Sequence, residues 1–170
     1  MRISTPLALL RDWSEHDIPA LAASADNPRI AAMMRDAFPS PYTPEDACRF
    51  IEMATQPSGN LFLAIEVNGK AAGGIGIHPL TDVYRKTAEI GYWLAEPCWG
   101  QGIITGAVRA LVPEAFAAFD IVRLEAGVFS DNRASMRVLE KNGFVRETVH
   151  RNAVTKNGVL MDEVVYVRFR

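Results

Sequence analysis

The sequence predicts a mixed α/β (α+β) domain, a mostly antiparallel sheet flanked by helices, on three observations. Three apolar runs of strand length, Leu61–Val67, Ala71–Leu80 and Thr87–Ala95, follow one another, the first two joined by Asn68-Gly69, a dipeptide that favours the two-residue hairpin turn. Stretches with helical spacing and capping residues stand before this meander and return after it. A glycine-containing turn, Gly100-Gln101-Gly102, separates the third run from a long helical stretch. No linker, repeat or low-complexity segment divides the 170 residues, so a single domain over 1–170 is expected. A chain of this size buries about 70% of its unfolded surface and needs neither metal nor disulfide to fold.

Each element has a local reason. Leu7-Ala8-Leu9-Leu10 reads as an opening strand. Ser14 with Asp17 three positions on forms a helix-start signal ahead of the apolar Ile18, Leu21 and Ala22. Helical signals run from Ile30 to Phe38. They resume at Thr43, which is followed by Pro44 and by the acidic Glu45 and Asp46 that suit a positive helix end. Beyond the meander, Gly102–Phe119 predicts a helix kinked at Pro113, Ile121–Phe129 a strand and Asn132–Asn142 a second helix. Two last strands, near Phe144–His150 and Val159–Phe169, turn at Asn157-Gly158.

Composition excludes several function classes. Hydrophobic residues make up 49% and charged residues 22%, which gives a packed core rather than a disordered chain. The net charge of −2, with no dense basic run, argues against nucleic acid as a ligand. No apolar run approaches the roughly 18 residues of a membrane span, and Met1–Trp13 lacks a signal-peptide pattern, so a cytoplasmic protein is expected. Cys48 and Cys98 lack the short spacing of zinc or redox pairs and read as reduced thiols. His16, His78 and His150 share no metal-ligand spacing, so no metal site is expected.

The chemistry concentrates in Trp99-Gly100-Gln101-Gly102-Ile103-Ile104-Thr105-Gly106. The first turn of a helix leaves backbone N–H groups unsatisfied and carries the positive end of the helix dipole. Glycine lets that backbone approach an anion closely, so the turn can hold a pyrophosphate. A dinucleotide-binding unit would use the same device, and Glu125 lies roughly 20 residues on, where a ribose-binding acid is expected. Too little chain follows for the further βαβ units that such a fold requires.

The glycine turn, followed by Asn132-x-x-Ser135 and then by Leu139-Glu140-Lys141-x-Gly143-Phe144, resembles the GNAT superfamily of N-acetyltransferases. Ala88-Glu89-Ile90-Gly91-Tyr92-Trp93-Leu94 running into the turn, together with Pro41-Tyr42-Thr43-x-Glu45-Asp46, is similar to the branch that acetylates ribosomal-protein N-termini. The resemblance implies a sheet splayed between the strand ending at Leu94 and the strand ending near Phe129, with acetyl-CoA in the gap. It implies pantetheine against the backbone of Trp93 and Leu94, and pyrophosphate on the amides of Gln101, Gly102, Ile104 and Thr105. Asn132 and Ser135 would then lie along the pantetheine arm near the sulfur. Three residues depart from the superfamily pattern: Trp99, the β-branched Ile104 in the loop, and Leu139 where many members place a proton-donating tyrosine.

For such an enzyme the amine must be neutral to attack, and an α-amine with a pKa near 8 meets this more easily than lysine near 10.4. Glu89 is the candidate base, with Glu125 as its rival, and Ser135 the candidate acid for the leaving thiolate. A structural part for Glu89, paired with Arg85 or Arg123, is the competing reading. The acceptor is expected to be a peptide or protein N-terminus, with a small amine, amino acid or antibiotic as the alternative. A catalytically silent acetyl-CoA-binding module is the alternative of another class. Exposed strand edges leave a homodimer open.

Overall fold

The computed structural model describes residues Met1–Arg170. In chain order it contains β1 (Arg2–Ser4), β2 (Leu9–Asp12), α1 (Ile18–Ala25), α2 (Pro28–Ala31), α3 (Pro44–Thr55), β3 (Leu61–Val67), β4 (Lys70–Pro79) and β5 (Thr87–Leu94). There follow α4 (Ile103–Ala118), β6 (Arg123–Phe129), α5 (Arg133–Lys141), β7 (Val145–Lys156) and β8 (Val159–Phe169). All eight strands lie in one sheet of order β1-β2-β3-β4-β5-β6-β8-β7. Every neighbouring pair is antiparallel except β5 and β6.

That parallel pair shapes the molecule. Thr87, Ala88 and Glu89 register with Arg123, Leu124 and Glu125, and the ladder stops there, although β5 continues to Leu94 and β6 to Phe129. β4 keeps β5 and β8 keeps β6 in register beyond that point, so the two halves of the sheet part like a V.

Each face of the sheet buries its own core. On one face α4 and α5 cover Leu63, Ile75, Ala88, Ile90, Leu94 and Leu124, with Val108, Leu111, Val112 and Leu139 filling the layer between. On the other, α1 and α3 pack Leu21, Ala25, Ala47 and Ile51 against Trp13, Tyr42 and Ala64. Strand alternation sorts β5 between them: Ala88, Ile90, Tyr92 and Leu94 meet the α4–α5 core, while Trp93 joins the α1–α3 side.

Local signals account for most boundaries. Thr43 accepts from the Asp46 amide at 3.2 Å while the Asp46 carboxylate accepts from the Thr43 amide at 2.9 Å, which starts α3 as the sequence predicts. Asn68-Gly69 and Asn157-Gly158 both take φ > 0 on their two residues, the conformation of tight hairpin turns. α4 runs through Pro113 to Ala118.

Other expectations are corrected. The opening strand lies at Leu9–Asp12 rather than Leu7–Leu10, and it is preceded by the short β1. The helix expected over Ile30–Phe38 shrinks to α2, because Asn27 caps the chain earlier, accepting from the Arg29 amide at 2.8 Å, with Pro28 as the first helical residue. Phe38 instead turns inward against Tyr42 and Trp93, at centroid distances of 5.1 and 5.6 Å. β7 extends past His150 to Lys156 by absorbing a register shift against β8 between His150 and Val154, after an earlier one between Arg146 and Thr148.

Candidate active site

The mouth of the V is the glycine turn. Gly100 and Gly102 have φ of 73° and 82°, a left-handed conformation that a side chain strains, and Gly102 is the N-cap of α4. The first bond inside the helix runs from the Gly106 amide to the Gly102 carbonyl at 2.9 Å. The amides of Gln101 to Thr105 therefore have no partner in the protein, which is the donor array an anion requires. α4 carries no acidic residue in its first turn to compete for those donors. The Gln101 side chain turns back to the Pro97 carbonyl at 2.9 Å, and the Trp99 indole donates to the Leu94 carbonyl at 2.7 Å, so the turn is braced from within. Ile104 is partly buried against the α4–α5 core.

Along the V, the register decides which backbone groups are free. The Ala95 amide donates to Ala72 and the Leu80 amide to Thr87, which sets the alternation: Glu89, Gly91 and Trp93 present their backbone to β4, and Tyr92 and Leu94 present theirs to the gap. Trp93, expected to meet the cofactor through its backbone, thus has those groups paired with Gly74. Its ring lies half-buried on the α1–α3 side against Phe38.

Asn132 and Ser135 stand across the gap at the start of α5. The Asn132 side chain caps this helix, accepting from the Ser135 amide at 3.1 Å. Ser135 Oγ lies 2.8 Å from the Tyr92 hydroxyl. Leu139 is fully buried in the core and faces no cleft.

Glu89 and Glu125, rivals in the sequence, are neighbours in register across the last rung of the β5–β6 ladder. Glu89 pairs with Arg35 at 2.5 Å, not with Arg85 or Arg123, while Glu125 is held by Arg123 at 3.0 Å. Both line a cavity of about 210 Å³ together with Arg35, Arg123, Glu147, His150 and Glu163. The segment bearing Arg35 is tied to the β7–β8 hairpin by Lys156, whose ammonium lies 2.7 Å from Asp36. Beside the cavity, His78 registers with Glu89 and packs on Phe62 at 5.0 Å. Burial pushes the His78 imidazole below its ordinary pKa, and Arg35 adds to this against the pull of Glu89. A Cβ on Gly91 would meet nothing within 4 Å, so the face between Glu89 and Trp93 is open. A larger cavity of about 500 Å³, between Arg109, Asn142 and Arg168, contains none of the sequence-predicted site residues.

Arg35 and Tyr92 were given no role by sequence reasoning, whereas His78 and His150, both read as loop, strand-end or surface histidines, kept a place in the substrate channel as an alternative. Arg35 and Tyr92 touch their partners across 54 and 43 residues of chain, and no local motif marks such contacts. The two cysteines are unpaired, and no group of three or more His, Cys, Asp or Glu side chains could hold a metal ion. No helix is long and apolar enough to cross a membrane.

Known proteins resemble this chain in sequence and in fold. RimL, a ribosomal-protein α-N-acetyltransferase solved in complex with coenzyme A, superposes with a TM-score of 0.88 at 25% identity, over 99% of this chain and 98% of that one. YdaF of Bacillus subtilis, whose name assigns it to the ribosomal N-acetyltransferases, is 33% identical over 142 residues, 84% of this chain and 72% of its own. YjcK of the same organism, named as an N-acetyltransferase, is 49% identical over 94 residues. That match spans only about half of each chain, 54% of this one and 52% of YjcK. The model of the acetyltransferase (GNAT) domain matches residues 8–145, and with the V-shaped sheet and its glycine turn this settles the family: the chain belongs to the GNAT N-acetyltransferases.

Proposed function

We propose that this protein transfers the acetyl group of acetyl-CoA to the α-amine at the N-terminus of a protein or peptide. The observation that carries the reading is the V itself: a parallel ladder that ends at Glu89 and Glu125, with the unpartnered amides of Gln101–Thr105 at its mouth. Acetyl-CoA is the co-substrate that fits it. Its pyrophosphate takes the amides of Gln101, Gly102, Ile104 and Thr105, and its pantetheine pairs with the gap-facing backbone of Tyr92 and Leu94. The Asn132 side chain and Ser135 complete the far wall, and the ring of Trp93 borders the gap from the acceptor side.

The acceptor approaches from the α1–α3 face over Gly91. Glu89 takes the proton from the amine as nitrogen attacks the thioester carbon, directly or through one water, and Ser135 meets the departing sulfur. Holding amine and thioester together supplies the larger part of the rate, and a gap-facing amide of β5 stabilises the oxyanion. RimL and YdaF, both named for ribosomal substrates, support the α-amine as acceptor. The unpaired cysteines suit a reducing compartment, the cytoplasm.

One observation favours a second reading. Four glutamates against two arginines line the cavity beside Glu89, an excess of negative charge that suits a small polycationic amine. The test is calorimetric titration with acetyl-CoA, followed by thiol release on peptides with open or blocked N-termini and on polyamines. The proposal expects saturable binding and turnover that requires the open N-terminus. Turnover on polyamines alone would replace the acceptor, and binding without turnover on any amine would make the protein a silent acetyl-CoA module.

A further inference from the structure

β5 and α5 lie on opposite sides of the V, and one pair of side chains bonds across it. Tyr92 stands three residues past the last rung of the β5–β6 ladder, and its hydroxyl lies 2.8 Å from Ser135 Oγ in the first turn of α5. The same hydroxyl lies 3.4 Å from the Ser135 carbonyl oxygen, a longer contact, so the side chain of Ser135 is its nearer partner. The Tyr92 ring packs against the α4–α5 core, so the hydroxyl is aimed and not free to wander. Leu139 is sealed in that core and supplies no hydroxyl from α5.

We propose that Tyr92 is a positioning residue for the leaving thiolate: its hydroxyl donates to Ser135 Oγ, which leaves the serine proton directed at the sulfur of the thioester. The inference rests on the acetyltransferase reading and on Ser135 as the group that meets sulfur. When the tetrahedral intermediate collapses, the C–S bond breaks and its electron pair goes to sulfur. The amine proton has gone to Glu89. A thiol near pKa 8.5 is far more acidic than a serine hydroxyl, so Ser135 keeps its proton and stabilises the thiolate by a charge-assisted hydrogen bond. Water then protonates the released thiolate. Burial pushes the Tyr92 hydroxyl up to about 12, so it too keeps its proton and remains a donor throughout.

The experiment is a double-mutant cycle on the full chain with Tyr92→Phe and Ser135→Ala, read as kcat and as KM for acetyl-CoA. Tyr92→Phe keeps the ring and its packing, and the expected result is a fall in kcat of about tenfold, the upper end of what one directed neutral hydrogen bond is worth. KM for acetyl-CoA stays within about twofold of wild type. The double variant falls no further than Ser135→Ala, and Ser135→Thr, which keeps a hydroxyl that Tyr92 can hold, recovers most of the rate. Additive losses, or a Tyr92→Phe protein with wild-type kcat, overturn the assignment of Tyr92 while leaving the acetyltransferase reading intact. A wild-type protein that binds acetyl-CoA but acetylates no amine overturns both.

Discussion

The two faces of β5 differ in kind. Glu89, Gly91 and Trp93 look toward α1 and α3, onto a charged cavity, an open glycine and an aromatic wall. Ala88, Ile90, Tyr92 and Leu94 look toward α4 and α5, where all but Tyr92 are buried in an apolar core. The period of two therefore puts the candidate base on one side of the thioester path and the tyrosine–serine pair on the other. In the proposed mechanism one strand separates proton removal from thiolate release without any loop to hold them apart. A single-residue slip in register would exchange the two sets, so the β4–β5 ladder is itself part of the site.

The largest effect should come from breaking the open face alone. Glu89→Gln keeps size and exposure but removes the proposed base and its pairing with Arg35, and kcat should fall on the order of 10²–10⁴. Acetyl-CoA affinity, which the proposal assigns to the mouth of the V, should not change in a calorimetric titration. A loss of less than about threefold in kcat would leave Glu89 as a structural partner of Arg35 and move the base elsewhere.

Gly102→Val tests the mouth without touching either face. Valine at φ 82° costs roughly 1–2 kcal/mol in a left-handed conformation, so the loop distorts, and the first amides of α4 lose their common direction. Acetyl-CoA affinity should drop by about tenfold, the equivalent of 1.4 kcal/mol, with kcat at saturation much less affected. Unchanged affinity would separate the glycine turn from the cofactor.

These contrasts were only partly legible in the sequence. Thr43 with Asp46, Asn68-Gly69 and the glycine turn are local devices, in which a few adjacent residues fix backbone angles or satisfy orphan donors, and each stands where expected. Elements held by distant partners were read poorly. β1 is three residues long and exists because β2 pairs with it, and β7 runs to Lys156 because β8 carries it through two bulges. The site divides in the same way. Gly102 and Asn132 could be placed from motif and helix start, but the backbone direction of Trp93 depends on registry with Gly74. The pairings of Glu89 with Arg35 and of Tyr92 with Ser135 join segments that only the finished sheet brings together.

Gly91→Val sharpens the comparison at smaller amplitude. The space above Gly91 is open on the face shared with Glu89, so a valine there fits the fold and narrows the proposed acceptor path. KM for the acceptor should rise several-fold, with acetyl-CoA affinity and the melting temperature retained. An acceptor KM that does not move would route the amine elsewhere.

The two layers should also respond differently to acid. On the α1–α3 face, burial alone would raise the Asp17 carboxyl, but two hydrogen bonds of 2.7 Å from Arg11 and one from the Ser14 amide outweigh it and hold the group below its ordinary pKa. At the start of α3 the Thr43 amide first, and then the Thr43 hydroxyl and Arg49, lower Asp46 in the same direction. A carboxylate with a depressed folded-state pKa contributes stability that is present above its unfolded value near 3.9 and is lost as the pH falls through the folded value. α4 and α5 begin without an acidic residue, so their first turns have no such carboxylate to lose. In hydrogen exchange between about pH 5 and pH 3, corrected for intrinsic rates, α1 and α3 should open before α4. If α4 opens first, or all helices together, the carboxylate caps do not set the acid stability of the acceptor face and the two layers unfold as one.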